Sequence, residues 1–162
     1  MTLQIALLAD YPQWIPRMAR SFFDQWRHVY PDSPYPQWEA RLRKNAQRQG
    51  LGTTFIGILD GEPIASACFK QYDMSVRDDL SPWLGSVWVK EELRGQGIGV
   101  QLVGAVEQEA VRMQINTIYL WTPDRQRFYG KQGWSLHERI VYHGTLVDIM
   151  RKELRSSYYP AQ

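Results

Sequence analysis

The chain has 162 residues, a formal net charge of +2 and a hydrophobic fraction of 44%. That length fits one domain, the apolar content excludes wholesale disorder, and the balanced charge argues against nucleic acid as the main partner. The lone cysteine, Cys68, cannot close an internal disulfide, no apolar stretch reaches the roughly 20 residues of a membrane span, and MTLQIALLADYPQW lacks the basic start of a signal peptide, so a cytoplasmic location without membrane attachment is expected.

Leu3 to Ala9 reads as a short buried strand. Asp10 is placed to cap a helix with Pro12 in its first turn, and Trp14, Ile15, Met18, Ala19, Phe22, Phe23 and Trp26 form its apolar stripe. After the break at YPDSPYPQ a second helix is expected from Pro36 to Ala46. Two β-rich runs, Thr53 to Leu59 and Ile64 to Tyr72, flank the turn signal DGEP and predict a hairpin. A polar loop, DMSVRDDLS, leads to a strand over Pro82 to Val89. Ile98, Leu102, Val103, Val106, Ala110 and Met113 mark a long amphipathic helix over Gly97–Met113, followed by a strand over Asn116–Thr122. A short helix ends at Gly133, which suits a C-cap, and WSLHERIVYHG and TLVDIMRKEL read as a final strand pair. The order β-α-α-β-β-β-α-β-α-β-β packs most naturally as a mixed sheet with helices on its faces. The strand–helix–strand unit after residue 82 is expected to be a right-handed crossover between parallel strands.

The glycine run in ELRGQGIGVQL, Glu92 to Leu102, needs its own explanation, because one glycine is enough for a tight turn. It opens a helix, and the unpaired N–H groups of a helix start attract an anion, most often a phosphate. A P-loop requires Gly-Lys-Ser/Thr, but here the run ends Gly99-Val100-Gln101. A dinucleotide fingerprint G-x-G-x-x-G fails at Val100 or Leu102, and the next strand carries no acidic residue for a ribose. The spacing R-x-x-G-x-G is filled by Arg94, Gly97 and Gly99.

That spacing resembles the acetyl-CoA signature of the GNAT superfamily of N-acetyltransferases. RFYGKQGW (Arg127 to Trp134) resembles the family's F-Y-x-x-x-G-F/W segment, and VDIMRKEL resembles its last strand in many members. The resemblance in element order runs from Leu3 to Leu154. It implies one α/β (α+β) GNAT-like domain over residues 1–154, a mixed and mostly antiparallel sheet of about seven strands with about four helices, and a tail at 155–162. It implies that the main chain of Val87, Trp88 and Val89 pairs with pantetheine like an added strand. Arg94, Gly95, Gln96, Gly97, Ile98 and Gly99 would cradle the pyrophosphate, with Arg94 either contacting it or simply solvated. Tyr129 matches the family tyrosine placed near the coenzyme sulfur, where a phenol can protonate the departing thiolate. Many members carry asparagine at the position of Thr122; either its hydroxyl substitutes for that coenzyme contact or the contact is lost, and Asp124 is placed simply to cap the short helix.

The implied activity moves acetyl from acetyl-CoA to a primary amine by direct attack in a ternary complex. The alternative is a module that binds acyl-CoA without turnover. The acceptor, a small molecule or a protein amine, is not selected by the sequence, and neither is the base. Glu91, Glu92, Asp73, Asp78, Asp79, Glu138, His137 and His143 are all candidates. The loop carrying Asp73, Asp78 and Asp79 is expected to form one wall of the acceptor pocket, and Trp26, Tyr30, Tyr35 and Trp38 the opposite one. Histidine spacing gives no metal site. A homodimer is compatible with the family resemblance.

Overall fold

The β-branched and aromatic runs pair into one seven-stranded sheet in the computed structural model, which describes residues 2–154. The strands are β1 (Gln4–Leu7), β2 (Thr53–Leu59), β3 (Glu62–Lys70), β4 (Trp83–Val89), β5 (Thr117–Thr122), β6 (Ser135–Tyr142) and β7 (Thr145–Glu153). They lie in the order β1-β2-β3-β4-β5-β7-β6. All neighbours are antiparallel except β4 and β5, which are parallel. The four helices are α1 (Ile15–Trp26), α2 (Tyr35–Lys44), α3 (Ile98–Arg112) and α4 (Gln126–Gly130). The expected tail lies outside the described residues.

Strand alternation divides the apolar side chains between two faces. On one face Leu102, Val103, Val106 and Ala110 of α3 pack against Phe69, Leu84, Ile118 and Leu120. On the other, Met18, Ala19 and Phe22 of α1 and Trp38 of α2 cover Ile56, Ile58 and Trp88. Coverage on both faces explains why the middle strands read as nearly continuous apolar runs. A third cluster, with Met74, Leu80, Trp83, Tyr142 and Ile149, fills the space beneath the loop that joins β3 to β4.

The β2–β3 hairpin follows its turn signal. Asp60 and Gly61 both take positive φ, 52° and 75°, as a two-residue primed turn requires. The strand begins at Glu62, ahead of the expected Ile64. Helix starts follow the sequence less closely. Asp10 caps nothing; two short 3-10 turns intervene, α1 begins at Ile15, and Asp10 pairs with Arg48 at 2.7 Å. Pro12 and Pro16 account for this staggered entry, since each suits a first turn and neither supplies an N–H. The helix expected over Pro36–Ala46 occupies Tyr35–Lys44, and Asn45 already leaves helical geometry.

Gly133 closes the α4 turn as a Schellman motif. Trp134 N–H donates to the Tyr129 carbonyl at 3.2 Å and Gly133 N–H to the Gly130 carbonyl at 3.2 Å. Gly133 has φ +91°, and an added Cβ would stand 3.4 Å from Cε of Lys152. Lys152 is itself held by the Gln132 carbonyl at 2.7 Å and by the buried Glu107 carboxylate. Gly133→Ala is therefore expected to cost about 1–2 kcal/mol, the left-handed backbone penalty, read as a lowered midpoint at constant m in urea unfolding.

Candidate active site

A parallel pair of strands normally shares a continuous ladder. β4 and β5 share one register pair, Trp83 with Tyr119, supported by Tyr119 N–H donating to the Pro82 carbonyl at 3.0 Å. Beyond that point the strands part, and a cleft of about 950 Å³ opens, lined by Gly85, Ser86 and Val87 on one side and Leu120, Trp121 and Thr122 on the other. A β-bulge aims this edge. Ser86 takes φ +50°, the register with β3 shifts, and Ser66 Oγ donates to the Ser86 carbonyl at 2.8 Å.

The bulge decides which main-chain groups face the opening. Lys90 N–H donates to the Ile64 carbonyl of β3, so Trp88, two residues earlier, also points its main chain at β3, where it pairs with Ser66. Val87 and Val89 point the other way, along an edge that no strand covers. Trp88 thus does not belong with them: its main chain is taken by β3, and its ring packs edge-on to Phe22 at 5.9 Å.

The strand runs into the glycine loop. Gly95 and Gly97 take φ +78° and +81°, conformations that L side chains resist. Gly99 serves another purpose, since a Cβ there would meet Phe128 at 3.2 Å and Val89 at 3.6 Å. Two glycines shape the loop, and the third lets α3 close onto α4. Among the described residues, the main-chain N–H groups of Gly95, Gln96, Gly97, Ile98, Gly99 and Val100 donate to no carbonyl or side chain. They converge on the head of a fifteen-residue helix, α3, where the helix dipole adds positive potential. Ile98 contributes through its amide alone, because its side chain is buried. Arg94 is folded back: Nε donates to the Val89 carbonyl and Nη2 to Gln25 Oε1, each at 2.9 Å. It clamps the loop to β4 and α1 while still lining the cleft.

On the far wall Thr122 braces the turn that leads into α4: its Oγ1 accepts from Arg125 N–H at 2.9 Å and Asp124 N–H at 3.3 Å. Arg125 is the N-cap residue of α4, and no side chain, Asp124 included, caps the helix. α4 presents Tyr129 to the cleft, 7% exposed, with no hydrogen bond to its hydroxyl among the described residues. Burial pushes its pKa above the ordinary tyrosine value, with Asp73 and Asp124 adding to the rise against Arg125. The phenol is held protonated.

The acidic loop separates. Asp79 pairs with Arg77, which also reaches Glu138 of β6. Asp78 is exposed and is not among the residues lining the cleft. Asp73 alone of the three turns inward. Its Oδ1 accepts from Lys70 Nζ at 3.1 Å, and its Oδ2 lies over Gly85, 3.0 Å from where a Cβ would be. Burial raises the Asp73 pKa above the usual carboxylate value, opposed chiefly by Lys70. Burial is the largest influence on the Lys70 ammonium and works against it, but Asp73 and Cys68 together outweigh it and the lysine pKa is raised. The indole N–H of Trp121 lies near enough to favour the Asp73 carboxylate, although it makes no hydrogen bond of normal geometry.

Trp26, Tyr30 and Trp38 line the cleft as expected, whereas Tyr35 turns away and donates to the Pro16 carbonyl at 3.0 Å. Tyr30 meets Trp121, Tyr142 and His143 in edge-on contacts at 6.2, 6.4 and 5.1 Å, so the α1–α2 connection closes against the β6–β7 turn. His137 meets Tyr119 edge-on at 5.4 Å, outside the cleft lining, and burial lowers its pKa. Glu91 and Glu92 stay on the exposed loop. Cys68 is buried in β3, and burial pushes its thiol to about 11, which leaves it unreactive. Lys70, Arg41, Trp121 and Tyr142 join the site without having been singled out in the sequence. Only Trp121 carried a signal, since it alternates with the core residues Ile118 and Leu120 on β5. Among the described residues, no three His, Cys, Asp or Glu side chains gather as a metal site, and no helix is long and apolar enough to cross a membrane.

The arrangement offers unpaired amides for an anion, an open strand edge for an amide-bearing chain, a protonated phenol and one inward carboxylate. Solved structures share the fold. An aminoglycoside 6'-acetyltransferase type Ii superposes with a TM-score of 0.70 at 18% identity, covering 95% of this chain and 97% of the other. A GCN5-related N-acetyltransferase from Rhodopseudomonas palustris gives 0.65 at 19%, covering 94% and 95%. A GNAT family acetyltransferase from Elizabethkingia anophelis, with acetyl-CoA bound, gives 0.50 at 19%, covering 63% and 76%. A search of curated protein sequences finds no match. The family model described as Acetyltransferase (GNAT) family matches residues 15–134, and the chain belongs to that family.

Proposed function

We propose that the protein transfers an acetyl group from acetyl-CoA to a primary amine by direct attack, with Tyr129 as the acid. One observation carries this reading: six unpaired amides at the head of α3 continue into an uncovered strand edge, and that edge leads to a buried, protonated Tyr129. The coenzyme fits these residues. A diphosphate needs several converging N–H donors and no crowding side chain, and the amides of Gly95, Gln96, Gly97, Ile98 and Gly99 supply both. Arg94 and Arg125, both on the cleft lining, balance the phosphate charge. Val87, and the N–H of Val89, whose carbonyl already accepts from Arg94, offer main-chain groups to the pantetheine amides as a neighbouring strand would. Thr122 acts indirectly, by holding the turn that carries Tyr129.

When bound, the coenzyme supplies an acetyl group activated as a thioester. The acceptor enters as an ammonium and must lose a proton before its nitrogen can attack. Of the candidate bases, Asp73 alone lines the cleft, and it receives that proton. The new N–C bond forms as the C–S bond breaks, and the Tyr129 hydroxyl gives its proton to the sulfur. The nitrogen sheds its second proton to the Tyr129 phenolate through water, and Asp73 releases the first to solvent, so the products are amide, free thiol and one proton. Cys68, inert and buried, leaves no role for an acyl-enzyme.

Calorimetry with CoA, followed by thiol release from acetyl-CoA with an amine panel, tests the reading. Binding without turnover would leave a coenzyme sensor. Gly97→Val forces a β-branched residue into φ +81° while meeting no neighbour within 4 Å, so the fold should survive. It is expected to weaken CoA binding at least ~10-fold, measured by calorimetry with circular dichroism as the control. Tyr129→Phe is expected to lower kcat by about 10- to 100-fold, at the low end for general acids because thiolates leave readily. Since the phenol pKa is raised, the acid form persists above its ordinary value near 10. The deficit of the variant should therefore stay constant from pH 7 to about 9.5 in a kcat profile.

A further inference from the structure

The charge lining the cleft is unequal. Five cationic side chains, Arg41, Lys44, Lys70, Arg94 and Arg125, face two carboxylates, Asp73 and Asp124. Arg94 and Arg125 flank the glycine loop and α4, where phosphates are expected. Lys70 is paired with Asp73. Arg41 and Lys44 remain, both on α2, across the cleft from the glycine loop and without a carboxylate partner among the described residues. Their neighbour Arg43 is neutralised by Glu39 at 2.7 Å, so the helix has used its acid elsewhere.

Arg41 is also held in place. Its Nη2 donates to Ser33 Oγ at 2.8 Å, and its guanidinium lies over the rings of Trp38 and Tyr30 at 4.8 and 6.0 Å. Most of its N–H donors stay unused. A guanidinium fixed over aromatic rings, with a planar fork of free donors, matches a carboxylate or phosphate better than any other group. Its field reaches the amine end of the site, since it favours the ionised forms of both Asp73 and Tyr30.

We propose that the acceptor is a small amphoteric molecule, whose amine is received at Asp73 over Gly85 and whose acid group, a carboxylate or a phosphate, is received by the Arg41 guanidinium. This rests on the acetyltransferase reading above and names the class of amine. Asp73 can serve because it lines the cleft over Gly85 and only its Oδ1 is taken by Lys70. Trp38 and Tyr30 enclose the carbon chain between the two charged ends. Lys44 adds positive potential at the acid end. The same charges reject a polycation: an acceptor with several ammonium groups would set them against Arg41, Lys44 and Lys70, and like charges brought together discriminate strongly.

Matched acceptors test this with acetyl-CoA and a thiol readout: 5-aminopentanoate against pentylamine, phosphoethanolamine against ethanolamine, and spermidine as the polycation. At least one acid-bearing amine should exceed its acid-free partner about tenfold or more in kcat/KM, and spermidine should fall below both. The two acid-bearing arms separate a carboxylate from a phosphate. Arg41→Gln should bring the ratio toward one by slowing the acid-bearing amine, and Arg41→Glu should push it below one. Thermal melting guards against misfolding, because α2 packs through Trp38 and Leu42 rather than Arg41. Spermidine as the better acceptor, a ratio untouched by Arg41→Gln, or coenzyme binding with neither acid-bearing amine acetylated would each overturn the proposal. Failure of CoA to bind would instead remove the acetyltransferase reading on which it rests.

Discussion

The site depends on a ladder left unfinished. Two parallel strands touch at Trp83 and Tyr119 and then part, leaving main-chain groups of β4 without a strand to pair with. Buried unpaired backbone groups are costly, so such an edge persists only where water or a ligand can satisfy it. The rest of the molecule keeps the edge from closing. α3 and α4 wedge the gap from one face, and the bulge at Ser86 turns the strand so that Val87 and Val89 look into it. The glycine loop continues the same surplus of donors, from a strand edge to a helix head.

Around this edge the charged groups are arranged by burial as much as by contact. Asp73 and Lys70 are paired inside the cleft through one carboxylate oxygen. Tyr129 owes its protonated state to the apolar surroundings of α4. The exposed ion pairs, such as Arg43 with Glu39 or Arg48 with Asp10, contribute little to stability.

Local patterns made much of this legible. The Asp-Gly turn, the amphipathic stripe of α3, the crossover and the phosphate-type glycine spacing all depend on neighbours close in sequence, and all appear in the structure. Tyr129 could be singled out because Phe128, Gly133 and Trp134 stand around it. What the pattern could not carry was set by distant partners. Three aspartates in one polar loop look alike until Arg77 holds Asp79 at the surface and Gly85 makes room for Asp73. Trp88 looks equivalent to Val87 and Val89 until the bulge assigns its main chain to β3. Asp10 has the form of a helix cap, but proline placement moved the helix start beyond its reach. Arg41 looked like any arginine on a polar helix face; its meaning comes from the rings beneath it and the missing acid beside it.

The absent side chain at Gly99 ties two parts of the molecule together mechanically. Phe128 sits against that bare position and meets the adjacent Tyr129 edge-on at 4.9 Å. The head of α3 is therefore in direct contact with the segment that carries Tyr129. On the acetyltransferase reading proposed above, packing would set the interval between the phosphate end and the sulfur end of the donor. The protein would then act as a gauge of donor length: a carrier arm shorter or longer than this interval would seat its phosphates or its sulfur, but not both.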